Sequence, residues 1–189
     1  MQLRRHVLTQ WSACVVALAL PAVGCTEQPT AGASAQAFNA TDSAWILLMI
    51  PMSERARLLT DLAPSRTADP ALAALAADTG STLRADLRRL RAVLRLSGVP
   101  DTRPHEGHDM PGMVSLDILR QAADANGQAF DRMLTDALGA HFTQSGVLCA
   151  GERARGRADR AKDLAAAIAK NTAAAASRLD ELSAARARS

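Results

Sequence analysis

Apolar residues recur at three- and four-residue intervals through nearly all of residues 41–185, and this period limits the fold more than any other feature of the chain. The clearest stripe is Leu72, Leu75, Thr79, Leu83, Leu87, Leu90 and Leu94, which a helix sets in line on one face. Asp69-Pro70 opens that helix with a capping side chain and a proline at the first helical position, and Gly98-Val99-Pro100 closes it. An earlier helix over about residues 41–63 aligns Trp45, Leu48, Met49, Met52, Ala56 and Leu59. Ser115 caps a short helix through about Asp124, interrupted at Asn126-Gly127. A longer helix then carries Phe130, Leu134, Ala137, Leu138, His141, Ser145 and Leu148, and Gly151 and Gly156 bracket a charged turn. The last helix, over about residues 158–185, presents Leu164, Ile168, Thr172, Ala175, Leu179 and Leu182. Four long striped helices predict an all-α bundle. An offset of 89 residues sets Met52 against His141 and Leu75 against Leu164, the trace of a duplicated helical hairpin.

The N-terminus sets the compartment. Residues 1–24 combine Arg4 and Arg5, an apolar run over residues 13–20 and small residues before Cys25, the pattern of a secretory signal. The run is shorter than the ~20 residues a membrane-spanning helix needs. Ala22-Val23-Gly24-Cys25 resembles a bacterial lipobox, which makes Cys25 the lipidated first residue of the mature chain. Residues 25–37 are small and polar and read as a tether, leaving residues 38–186 as the bundle domain. The expected location is outside the cytoplasm, lipid-anchored to the outer face of the bacterial cell membrane or in the periplasm. The membrane is then a partner through the lipid anchor.

Composition excludes several functions. Beyond the signal, 20 basic residues face 19 acidic ones, and the aromatic residues are Trp45 and three phenylalanines. Neither a basic field nor a stacking surface remains for nucleic acid. Cys149 is the one cysteine left after Cys14 and Cys25, so no internal disulfide forms; it reads as a buried hydrophobe or a reactive thiol. The arginines of LRADLRRLRAVLRLSG read as a solvated helix face.

The stretches MIPMSERARLLTDLA and ALGAHFTQSGVLCA, with HDMPGM between them, resemble the bacterial family catalogued as domain of unknown function 305. The resemblance covers about residues 38–186. It implies an exported, ferritin-like four-helix bundle made of two helical hairpins, with a long loop and a short helix between them, and it implies copper as a ligand of some members. The family's signature is Met-Ile-x-His-His-Glu near the start of each hairpin. Its first histidine pair falls on Met52 and Ser53 and its second on His141 and Phe142, so one of four helix histidines is present. The family's helix glutamines fall on Leu83 and Thr172.

What remains for metal chemistry is PHEGHDMPGM, residues 104–113. Thioether sulfur suits Cu(I) and imidazole suits Cu(II) as well, and both survive outside the reducing cytoplasm. His105, His108, Met110 and Met113 supply both, Pro111-Gly112 can turn the chain between the methionines, and Glu106 and Asp109 offer oxygen ligands. A second, weaker set lies on the helices, where His141 could share a metal with Met52 or Met49. The bland reading of both sets is packing and a solvated loop. No Glu-x-x-His pair, phosphate loop or His-Glu-x-x-His helix is present, so the chain reads as non-enzymatic. Two functions follow: copper buffering or delivery by the loop, or a metal-free bundle that serves as an envelope interaction or structural module with a protein partner the sequence does not identify.

Overall fold

The computed structural model describes residues 37–188; the signal, Cys25 and the tether lie outside them. Four long helices and one short one form two hairpins. They are α1 (Ala40–Arg66), α2 (Pro70–Ser97), α3 (Leu116–Asp124), α4 (Gly127–Arg155) and α5 (Asp159–Arg186). α1 pairs with α2 and α4 with α5; the hairpins dock through α1 on α4 and α2 on α5, while α3 lies across α1 and α4. The near-equal hairpins agree with the 89-residue offset.

The helix starts follow from local chemistry. Asn39 accepts from the Asp42 N–H and Asp42 accepts from the Asn39 N–H, a reciprocal box at the head of α1. Asp69 accepts from the Ala71 and Leu72 N–H groups ahead of Pro70, and Ser115 accepts from the Ile118 N–H. One boundary differs from expectation. α4 runs through Gly151 to Arg155 instead of turning between Gly151 and Gly156. Cys149 and Glu152 on that last stretch are buried, so tertiary packing outweighs the ~1 kcal/mol that a helical glycine costs.

The core divides along the bundle axis. One cluster gathers Leu59, Leu72, Leu75, Phe130, Leu134 and Leu138 near the α1–α2 turn. The other gathers Trp45, Ile46, Met49, Leu90, Leu164 and Ile168 at the opposite end. Each fully buried side chain of this size contributes about 1.5–3 kcal/mol. Between the clusters the inward residues are short or polar: Ser53, Thr79, His141 and Ser145, all buried. A cavity of about 200 Å³ lies at this level, lined by residues of α1, α2, α4 and α5. Among the described residues no helix is long and apolar enough to cross a membrane.

Candidate functional site

The connection between the hairpins is folded into successive turns. The Glu106 N–H donates to the Arg103 carbonyl, the His108 N–H to the His105 carbonyl at 3.3 Å, and the Met113 N–H to the Met110 carbonyl at 2.9 Å. His105 and His108 therefore close one turn, and Met110 and Met113 close the next. Pro111 and Gly112 occupy the centre of the second, where Gly112 takes a φ of +71° that an L side chain resists.

Buried arginine holds this loop to the bundle. Arg55 on α1 donates from Nη1 to the His108 carbonyl at 3.1 Å and the Val114 carbonyl at 3.4 Å, and it lies 3.7 Å from the Asp109 carboxylate. Glu54 beside it accepts from Arg91 at 2.6 Å and from Arg103 at 2.7 Å, and Arg103 also pairs with Glu106. The Arg103 guanidinium holds the Glu106 carboxyl below its usual range. The two acids expected to add oxygen ligands thus already face arginines. On the other side Gly112 meets α4 so closely that a Cβ there would lie 2.2 Å from the Gln144 Cβ and 2.8 Å from the Ala140 carbonyl.

These contacts sort the four loop ligands. His108 is exposed, and His105 and Met110 are half-buried, whereas Met113 is 6% exposed and buried with Val114 against the bundle. Three donors face accessible space and the fourth is packed away.

The helix set is arranged differently. His141 is 2% exposed; its Nε2 lies 3.5 Å from the Ser145 hydroxyl, and its Nδ1 makes no hydrogen bond of normal geometry. Burial lowers its pKa to about 4, an effect the Gly112 backbone offsets only in part, so the imidazole is neutral. Met49 and His141 line the same cavity, while Met52 is fully buried outside its lining. Of the three signature-histidine positions that carry another residue, Ser53 and Phe142 line the cavity and Met52 does not. No group of three or more His, Cys, Asp or Glu able to hold a metal occurs among the described residues. The helix positions supply one imidazole and two thioethers, and the loop two imidazoles and two thioethers.

A further charged group escaped the sequence reading. Asp42 is fully buried and accepts from the Arg157 N–H at 3.0 Å and the Ala158 N–H at 3.1 Å, so this carboxylate caps α1 and also holds the turn that leads into α5. Its burial alone would raise its pKa, but the Asn39 N–H, the Glu152 carboxyl and the Ala158 and Arg157 N–H groups outweigh that and hold it below the ordinary range. Glu152 is 1% exposed, and neither of its carboxyl oxygens receives a donor. Burial first and Asp42 second push its pKa up to about 8. Two acceptor-only groups cannot bond each other, so the pair is satisfied when Glu152 carries a proton and donates it to Asp42. The Asn39-x-x-Asp42 box was legible in the sequence; its second partner, 110 residues away in GERAR, was not. Cys149 beside this pair is fully buried, and burial raises its thiol to about 12, which rules out a reactive thiolate.

The model of the domain of unknown function DUF305 matches residues 35–183. A DUF305 protein from Streptomyces coelicolor, described as secreted, shares the fold at a TM-score of 0.69 and 18% identity, over 78% of this chain and 94% of that one. A DUF305 fragment from Deinococcus radiodurans gives a TM-score of 0.69 at 15% identity, over 77% and 97%. No curated protein matches the chain significantly. The chain belongs to the DUF305 family.

Proposed function

We propose that this chain is an exported, non-catalytic copper-binding lipoprotein, anchored at Cys25, which takes up copper on the connecting loop through His105, His108 and Met110 for buffering or delivery. The observation that carries this reading is the pair of adjacent turns, 105–108 and 110–113, that Arg55 and Gly112 fix to α1 and α4. Pinning the backbone lowers the entropy lost when the side chains close on an ion. Met113 becomes a fourth ligand only by leaving its buried place, so the three accessible donors bind first. Imidazole and thioether together suit copper in either oxidation state. The anchor rests on the lipobox before Cys25, and the location outside the cytoplasm agrees with the secreted description of the Streptomyces protein.

The test is a competition titration of the mature chain, with Cys25→Ser for solubility, against chelators for Cu(I) and Cu(II). Replacing His105, His108 and Met110 together by alanine should weaken binding by roughly a thousandfold or more, since each lost ligand costs about tenfold or more. Wild-type protein that cannot compete with a weak chelator would sink the reading, as would a triple variant that binds like wild type.

A further inference from the structure

Backbone and core contacts define the end of the bundle at which the chain enters. Phe38 packs on the core cluster that holds Trp45 and Ile46, and the Asn39 side-chain amide donates to the Arg155 carbonyl at 2.8 Å. The Arg157 N–H donates to Asp42 at 3.0 Å, so the α4–α5 turn is held against the head of α1. Val93 and Leu94 bring the last turns of α2 into the same cluster.

This end carries cations that lack carboxylate partners. Arg95 on α2, Arg153 and Arg155 on α4, Arg157 in the turn and Arg160 on α5 are all exposed, and none of them forms an ion pair among the described residues. The exposed acids of the same end are Asp101, Asp159 and Asp163, and Lys162 lies 3.3 Å from Asp159. In the opposite half arginines face acids. Asp61 pairs with Arg57 and, at 3.1 Å, with Arg84; Asp78 lies 2.9 Å from Arg178 and Asp69 2.6 Å from Arg186. Beside Arg95, in the last turn of α2, Leu96 is 58% exposed. Unpaired arginines with an exposed leucine on one end suit the surface of an anionic bilayer, where guanidinium groups meet phosphates and the apolar side chain enters the headgroup layer.

We propose that this end docks on anionic phospholipid, so that the bundle stands on the membrane by the last turn of α2 and the α4–α5 turn. The approach to the membrane rests on the anchor at Cys25 proposed above. Residues 25–37 can span at most about 45 Å, so an anchored chain keeps this end close to the surface. Charge then acts within about 10 Å of the headgroups, and the far end, about 40 Å away along α1, lies outside that range.

Sedimentation of the Cys25→Ser mature chain with vesicles tests the docking surface without the lipid, while detergent partitioning of the wild type tests the anchor separately. Vesicles of phosphatidylcholine with about one-third phosphatidylglycerol should bind the chain at least a hundredfold better than pure phosphatidylcholine at about 0.1 M NaCl, and about 0.5 M NaCl should remove most of the difference. Arg95→Gln, Arg155→Gln and Arg157→Gln together should bring binding close to the phosphatidylcholine level, since each arginine near an anionic surface contributes about fivefold. Arg120→Gln, Arg132→Gln and Arg188→Gln, all exposed and in the other half, remove the same charge and should lower binding less than about threefold. Leu96→Trp should shift its emission to the blue on the anionic vesicles, whereas Leu58→Trp, about 27 Å down α1, should not. Equal binding to the two vesicle types, an equal loss in the two triple variants or an unmoved Leu96→Trp spectrum would overturn the proposal. Tighter binding to polyglutamate than to the vesicles would also overturn it, and would mark an acidic protein as the partner.

Discussion

Replacing Glu152 with glutamine should stabilise the protein in alkaline but not in acidic solution. In the fold the Glu152 carboxyl titrates at about 8 instead of 4.5, because it is buried against Asp42. Between those values the folded state binds a proton that the unfolded chain has released, so wild-type stability falls as pH rises through this window and levels off above it. At about 1.4 kcal/mol per pKa unit the ceiling is roughly 5 kcal/mol. The bundle relaxes around the charged pair, so about 2–3 kcal/mol is the expected loss. Glutamine keeps the shape, donates to Asp42 and carries no charge at any pH. Asp42 has the opposite sign: its lowered carboxyl contributes stability above its ordinary pKa that is lost only as pH falls through the folded value, so it governs the acid limb. Urea unfolding followed by circular dichroism at several pH values is the assay. The variant and wild type should agree within about 0.5 kcal/mol near pH 5 and diverge to about 2–3 kcal/mol in the variant's favour near pH 9, or about 5–10 °C in Tm for a domain of this size. A difference that does not grow with pH, or a variant less stable than wild type near pH 9, would refute the account of a proton shared between Glu152 and Asp42.

Two other outcomes follow from the loop. Gly112→Ala introduces a Cβ into the Gln144 and Ala140 contacts at a positive φ, so it should cost about 2–4 kcal/mol, and amide exchange should rise in residues 105–113 while the α2 core stays protected. Met113→Ala removes a buried side chain and should cost about 2–3 kcal/mol in chemical denaturation, whereas exposed His108→Ala should change stability by less than about 0.5 kcal/mol; equal costs would contradict the inward packing of Met113.

The sequence disclosed whatever depends on neighbours within a few residues. Asp69, Pro70 and Gly98 marked both ends of α2, and Ser115 marked the start of α3, because caps are satisfied locally. The stripes on the four long helices placed Leu59, Leu75, Leu134 and Leu164 in the interior for the same reason. The end of α4 was misplaced because Gly151 is a local signal and the burial of Cys149 and Glu152 is not. Thr79 and Ser145 sat on the stripes and read as packing, and His141 as packing or a weaker metal ligand, since a gap between four helices belongs to all four at once. Met113 stood with His108 as a candidate ligand in the decapeptide, with packing on the bundle as its other reading; the docking of Gly112 on α4 separates the two residues. Buried Arg55 gave no sign in MIPMSERARLL that it would satisfy carbonyls more than fifty residues later.

Each hairpin is closed by a short turn, residues 67–69 in one and 156–158 in the other, whereas about 29 residues separate the hairpins from each other. The hairpin is accordingly the unit that can be exchanged. A second copy presents the same α4 and α5 faces to α1 and α2, and a long connection lets them be taken from that copy without breaking either short turn. What favours closure within one chain is the double attachment of the connection, by Arg55 to the first hairpin and by Gly112 to the second. Loosening either attachment shifts the balance toward an intertwined dimer in which every helix keeps its neighbours but each cavity is walled by two chains.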